Sequence, residues 1–288
     1  MGRKRFMMRN LLIGLCLLLA AVVARAAEGP TNAPAAASAE AGVTDIRTVD
    51  DLNEWFEYYY LYPKPELLPA ALRLIDKAGL MDKVSAQLPM AASLSVIFHD
   101  NPDQLAAWSG VIGKLSQVPR RITWMALWMS NDDAARKYLE EQKRSRTGED
   151  HQYLDVLLAS ERFDLGARKI HSAEDVDLLW GAFFASGNEQ WVRQIIGVLP
   201  EWRHRDNPTR FRIGAAAKWS LANNAKIHDR VMSICRKEME SVGEETRPLL
   251  KDIIDKAGEE DGPATIRRET TEILRAMKKA GAPKNQSP

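Results

Sequence analysis

Apolar positions recur along this chain in a helical rhythm. Leu52, Trp55, Phe56, Tyr59 and Tyr60 fall at i, i+3, i+4, i+7 and i+8, one face of a helix. Thr48 and Asp51 ahead of them make a capping box, in which hydroxyl and carboxylate each take an orphan backbone N–H. Pro63 and Pro65 end that helix. Leu68, Leu72 and Ile75 mark a second one, which Gly79 stops. The first unit therefore reads as a helical hairpin.

The same grammar continues. Polar turns at His99-Asp100-Asn101-Pro102, Ser130-Asn131-Asp132-Asp133, Ser160-Glu161, Ser186-Gly187-Asn188 and Asn223-Asn224 each separate two amphipathic segments. The markers Asn101, Asn131, Glu161, Asn188 and Asn224 stand 30, 30, 27 and 36 residues apart, the spacing of a helical-hairpin repeat. No run of alternating β-branched residues bounded by turn pairs interrupts them. Pro248 to Lys256 and Pro263 to Lys279 are predicted helices with proline near the first turn. In the second of these, Ile266, Ile273, Leu274 and Met277 form one apolar stripe amid charges, as a solvent-facing cap on a stack requires.

Two segments near the start depart from this pattern. Arg3, Lys4, Arg5 and Arg9 precede an uncharged apolar run from Leu11 to Ala24, too short for the ~20 residues of a membrane-spanning helix. Ala24-Arg25-Ala26 follows, and the three parts together predict a cleaved secretory signal over 1–26. Ala27 to Val43 is Ala-, Pro- and Gly-rich without aromatic residues or periodicity, and reads as a flexible leader. The expected organisation is then a hairpin-repeat domain over 44–242, capping helices over 243–280 and a disordered tail over 281–288.

The stretch LLWGAFFASGNEQWVRQIIGVLP, from Leu178 to Pro200, shows the repeat most fully. Ser172 and Asp175 cap a helix whose face carries Val176, Leu179, Trp180 and Phe183; Gly187-Asn188 turns the chain, and Val192, Ile195, Ile196 and Leu199 line the returning helix. Trp180-Gly181 with Phe184, the glycine turn and the terminal Pro200 resemble a degenerate tetratricopeptide repeat. A fainter echo runs through Trp124 to Leu139 and Trp219 to Ser233. The pattern is also similar to that of a group of exported bacterial helical proteins. The resemblance implies an all-α fold, a right-handed α-solenoid of stacked hairpins, and a role in protein contacts. Trp180 and Phe184 then serve as interhelix packing, since a lone hairpin cannot bury its apolar face.

Charge narrows the partners. Losing 1–26 removes Arg3, Lys4, Arg5, Arg9 and Arg25 and no acid, so 40 basic against 39 acidic residues becomes 35 against 39. A mildly acidic mature chain lacks the basic excess that nucleic acid or an anionic bilayer needs, and no membrane span is expected after cleavage. Cys235 alone of the two cysteines survives, so no intramolecular disulfide can form.

Catalytic, metal and cofactor signatures are not indicated by the motifs. His99, His151, His171, His204 and His228 are scattered without metal-ligand spacing. His228 and Cys235 share a predicted helical face, but two ligands are too few. Asp132-Asp133 and Glu259-Glu260-Asp261 sit at helix starts, where carboxylates cap N–H groups.

The strongest candidate for recognition is the segment Trp202, Arg203, Arg205, Arg210 and Arg212, read as a loop before a helix beginning near Pro208. Trp and Arg are the residues most enriched at binding hot spots. The sequence thus leads to an exported, periplasmic helical scaffold binding a protein of the cell envelope, with an envelope enzyme or enzyme subunit as the alternative. N-terminal sequencing of the exported protein should begin at Ala27; a mature chain that retains residues 1–26 would replace the signal with an anchor.

Overall fold

The computed structural model describes residues 42–280. The signal-like run, the Ala24-Arg25-Ala26 motif, all of the leader but its last two residues, and the tail from 281 lie outside the described residues. Within them the chain is all-α, without a strand, and no helix is long and apolar enough to cross a membrane. The helices form two compact units. Among the described residues, one holds the chain to Asp164 together with Phe184–Gly187, and the other holds Leu165–Phe183 and the helices after Asn188. The division near Asp164 falls inside the span expected as one array.

The first unit contains α1 (Val49–Tyr58), α2 (Leu68–Lys77), α3 (Val84–Asp100), α4 (Leu105–Ile112), α5 (Gln117–Met129), α6 (Asp133–Ser145) and α7 (Gly148–Ala159). The capping box at the start of α1 is present: the Asp51 N–H donates to the Thr48 hydroxyl and the Thr48 N–H to the Asp51 carboxylate. Gly79 ends the first hairpin at φ 61°, a left-handed conformation that costs glycine nothing.

Helix α3 is apolar on almost every side, burying Met90, Ala91, Leu94, Ile97 and Phe98, and it packs chiefly on α5. Trp108 of α4 tilts against Phe98 at a centroid distance of 5.6 Å. Helices α5 and α7 are tied by Asp150, which accepts from Arg120 and from Arg121 at 2.9 Å on the Arg121 side. Burial is the strongest influence on that carboxyl and pushes it upward, but the two arginines outweigh it and hold Asp150 below the usual carboxylate range.

The second unit contains most of α8 (Ala173–Ser186), then α9 (Glu189–Gly197), α10 (Pro208–Ile227), α11 (Asp229–Glu238), α12 (Arg247–Gly258) and α13 (Gly262–Ala280). Helix α8 opens with a second reciprocal box, in which the Ser172 N–H donates to Asp175 and the Asp175 N–H to Ser172. Arg168 also donates to Asp175 at 2.9 Å. Helix α10 is the axis of the unit, touching α9, α11, α12 and α13.

One expected turn is absent. Asn223 and Asn224 lie inside α10, buried, and the chain turns at His228, whose N–H donates to the Asn224 carbonyl at 2.8 Å. Asparagine marks a turn through its side chain's competition for backbone groups. Here the flanking residues Leu221, Ala222 and Ala225 are all buried, and tertiary packing overrides that local preference. The other four markers do separate helices, with Asn131 at φ 61° in its turn.

Trp180 is 1% exposed and stands edge-on to Phe183 at 5.7 Å. Its replacement leaves a large cavity that neighbours refill only in part. Trp180→Ala should lower the unfolding free energy by about 3 to 5 kcal/mol. Urea titration followed by circular dichroism measures this, and a neutral result would place the indole outside the core.

Candidate functional site

The segment singled out by its arginines and tryptophan is a braced corner of the second unit. Leu199–Arg203 forms a 3-10 turn with Pro200 as its second residue, and after only four residues Pro208 begins α10, capped by the Asn207 side chain. Arg210 and Arg212 are therefore residues of a helix's first turns, and the loop proper is short.

The 3-10 turn lies directly on α10 at Gly214. A β-carbon there would collide with the backbone of Glu201 and Trp202, so only glycine permits this approach. The approach drives Trp202 inward. Its indole is 4% exposed and packs on Phe211 at 4.9 Å and on Ala215. Leu249, Ile273, Leu274 and Met277, all partly buried, close over this cluster from α12 and α13.

Two cations bracket the ring. The Arg205 guanidinium stands 4.5 Å from the Trp202 centroid and 4.4 Å from that of Phe211. Lys218, one helical turn past Gly214, places its ammonium 4.4 Å from Trp202 and reaches Asp252 of α12 at 2.7 Å and Glu269 of α13 at 3.5 Å. With its side chain 5% exposed, Lys218 joins three helices through one desolvated charge. Burial lowers the Arg205 guanidinium from its ordinary value, and the charge of Glu269 opposes that shift.

The remaining arginines point outward with different commitments. Arg210 grips Glu201 with two N–H groups, at 2.5 and 2.9 Å, a fork-on-carboxylate pair. That bond, first among its influences, holds Glu201 below the usual carboxylate range. Arg203 donates to the Glu245 carbonyl at 2.9 Å. Arg212 is exposed and makes no ion pair among the described residues. Trp202 thus lies beneath the corner with Arg203, Arg205 and Arg210 around it, whereas Arg212, two positions from both Arg210 and Gly214 on α10, falls on the opposite side of that helix.

Sequence reasoning passed over Lys218. Its signal is a single charge amid the apolar positions of Ile213 to Ala225, where a lysine is unexpected unless paired. Elsewhere, His228 is the buried N-cap residue of α11, and Cys235 lies buried in the same helix with its thiol pushed up to about 12 by burial. Asp132 caps α6, accepting the N–H groups of Ala134 and Ala135. Asp177 on α8 behaves differently: burial, reinforced by the charge of Glu174, raises its pKa to about 8.

No family model, curated protein or solved structure matches this chain.

Asp177 makes stability depend on pH in a defined direction. The folded chain holds its proton up to about 8, whereas the unfolded chain releases it near the ordinary aspartate value of about 4. Folded protein binds the extra proton between those limits, so stability is full below about pH 4 and falls as pH rises toward 8. Asp177→Asn carries no ionisable proton. It should flatten this decline and raise the unfolding free energy at pH 8 by about 1 kcal/mol or more, measured by urea titration at pH 5 and 8. An unchanged slope would mean that Asp177 titrates as a solvated group.

Proposed function

We propose that this chain is an exported helical scaffold that holds a protein partner in the cell envelope, through an acidic patch on that partner. The observation that carries the reading is the arginine corner. Arg203, Arg205, Arg210 and Arg212 are exposed within one short segment, and three of them are already held by the protein's own contacts. Side chains fixed before binding lose less entropy on association, and a guanidinium that gives two N–H groups to one partner keeps others for a second. Trp202 contributes from beneath, as the rigid base of the corner.

A protein fits better than nucleic acid, because the chain without 1–26 carries 35 basic against 39 acidic residues. Export rests on the tripartite pattern of residues 1–26 and Ala24-Arg25-Ala26. The finer architecture, a right-handed solenoid of tetratricopeptide-like hairpins, belongs to the same proposal and rests on the hairpin spacing and on Trp180-Gly181 with Phe184.

The test follows from the contacts. Arg205 and Arg210 brace the corner, so they stay in place; Arg203→Ala with Arg212→Ala removes two exposed guanidinium groups and should leave the thermal midpoint nearly unchanged. Affinity capture from envelope extracts should recover the wild-type partner less well with this variant, and wild-type recovery should fall as salt is raised. Full recovery by the double variant would remove the corner from the binding surface.

A further inference from the structure

A second surface, in the first unit, carries charge that the fold leaves uncommitted. On α2, Arg73 and Lys77 stand one helical turn apart. On α4 and just beyond it, Ala107, Gly110, Val111 and Lys114 fall at i, i+3, i+4 and i+7, one stripe. The two helices pack together, and these stripes border a shared open groove of about 590 Å³. Asp76 lies in the same groove, its carboxylate turned to the start of α5, where it accepts the Ser116 N–H at 3.1 Å and the Ser116 hydroxyl, so the lining carries three basic side chains against one acidic. Arg73, Lys77 and Lys114 are exposed and have no ion pair or side-chain hydrogen bond among the described residues.

The chemistry of the groove selects its occupant. Cations stand on both banks, and the floor between them is made of small apolar residues. A β-carbon at Gly110 would meet nothing within 4 Å, so the floor is unfilled there. A small inorganic anion would neutralise one bank and leave the floor wet. A ligand that satisfies both needs separated carboxylates with apolar groups between them. That is the chemistry of an acidic, amphipathic peptide segment, and arginine adds the planar fork that recognises carboxylate.

We propose that the groove between α2 and α4 docks an acidic segment of a protein partner, its carboxylates meeting Arg73, Lys77 and Lys114 and its apolar side chains lying on Ala107, Gly110 and Val111. This surface is independent of the arginine corner, which belongs to the other unit.

Fluorescence anisotropy on the full chain tests it, with a fluorescein-labelled peptide of alternating Glu and Leu as the probe. The wild type should bind the probe and release it as salt rises. Gly110→Leu fills the floor, and because the site is open and leucine favours helix over glycine, the thermal midpoint should hold or rise. It should weaken binding by roughly tenfold or more, as should Lys77→Glu. Arg203→Ala with Arg212→Ala should bind the probe like wild type, which separates failure of the groove from failure of the corner. The proposal is overturned if the full chain does not bind the probe, or if neither Gly110→Leu nor Lys77→Glu changes the affinity. It is equally overturned if an all-Glu peptide or inorganic phosphate competes as well as the probe. Displacement by a peptide of residues 27–43 with equal strength would assign the groove to the chain's own leader and overturn a partner.

Discussion

The second unit depends on one close approach. Gly214 lets the backbone of Glu201 and Trp202 rest on α10, and everything around that contact follows from the missing β-carbon. With the turn so near, the indole of Trp202 is carried under the corner, tilted against Phe211 and beside Ala215. A buried indole with one polar edge then offers its negative face to cations, and Lys218 and Arg205 take it. Lys218 cannot be buried alone, because an unpaired ammonium inside a protein is costly. Asp252 and Glu269 answer it, and in doing so fix where α12 and α13 meet α10. Gly262 repeats the device at smaller scale: a β-carbon there would strike the Lys256 carbonyl, so α13 can begin tight against the end of α12.

The first unit solves the same problem with different residues. Its aromatic rings are spread along the chain, Trp55 with Tyr59 at the end of α1, Trp108 with Phe98 between α4 and α3, and Trp128 of α5 with Phe163 of the connection after α7. Charge enters at the seam of α5 and α7, where Arg120 and Arg121 converge on Asp150 and lie near the rings of Trp124 and Tyr153. Arg120, Arg121 and Lys218 are each beside an aromatic ring and paired to a carboxylate, and Arg205 sits over the buried rings of Trp202 and Phe211. Such cations belong to the fold.

How far this was legible in the sequence depends on how local each signal is. The capping pairs Thr48–Asp51 and Ser172–Asp175 and the turns at Asn101, Asn131 and Asn188 are decided within a few residues, and the helices start and stop there. Trp180 was readable as core because helical spacing alone puts it beside Val176 and Phe183, and all three are buried. Asn223 and Asn224 mislead for the complementary reason: their side chains suggest a turn locally, and the packing that cancels it comes from distant helices. Trp202 is a similar case. A tryptophan amid arginines resembles a binding patch, and only Gly214, twelve positions later, turns it inward. The groove was invisible because Arg73 and Lys114 share it only once α2 and α4 pack together.

These differences bear on function through one distinction, between charge the fold uses and charge it does not. A cation held by carboxylates inside the protein is nearly neutral to an approaching partner, since its field is cancelled at short range. Lys218 and Arg120 are of this kind. Arg210 is intermediate, exposed but forked onto Glu201, and it offers a partner orientation more than charge. Arg212 and the trio Arg73, Lys77 and Lys114 lie at the other end, and their potential extends into solvent over about a Debye length, roughly 8 Å in physiological salt. The groove sets the three uncommitted cations Arg73, Lys77 and Lys114 against the single carboxylate of Asp76, over an apolar floor. That excess of exposed positive charge is complementary to an anionic ligand, and it is the physical basis on which an acidic segment is proposed for the groove.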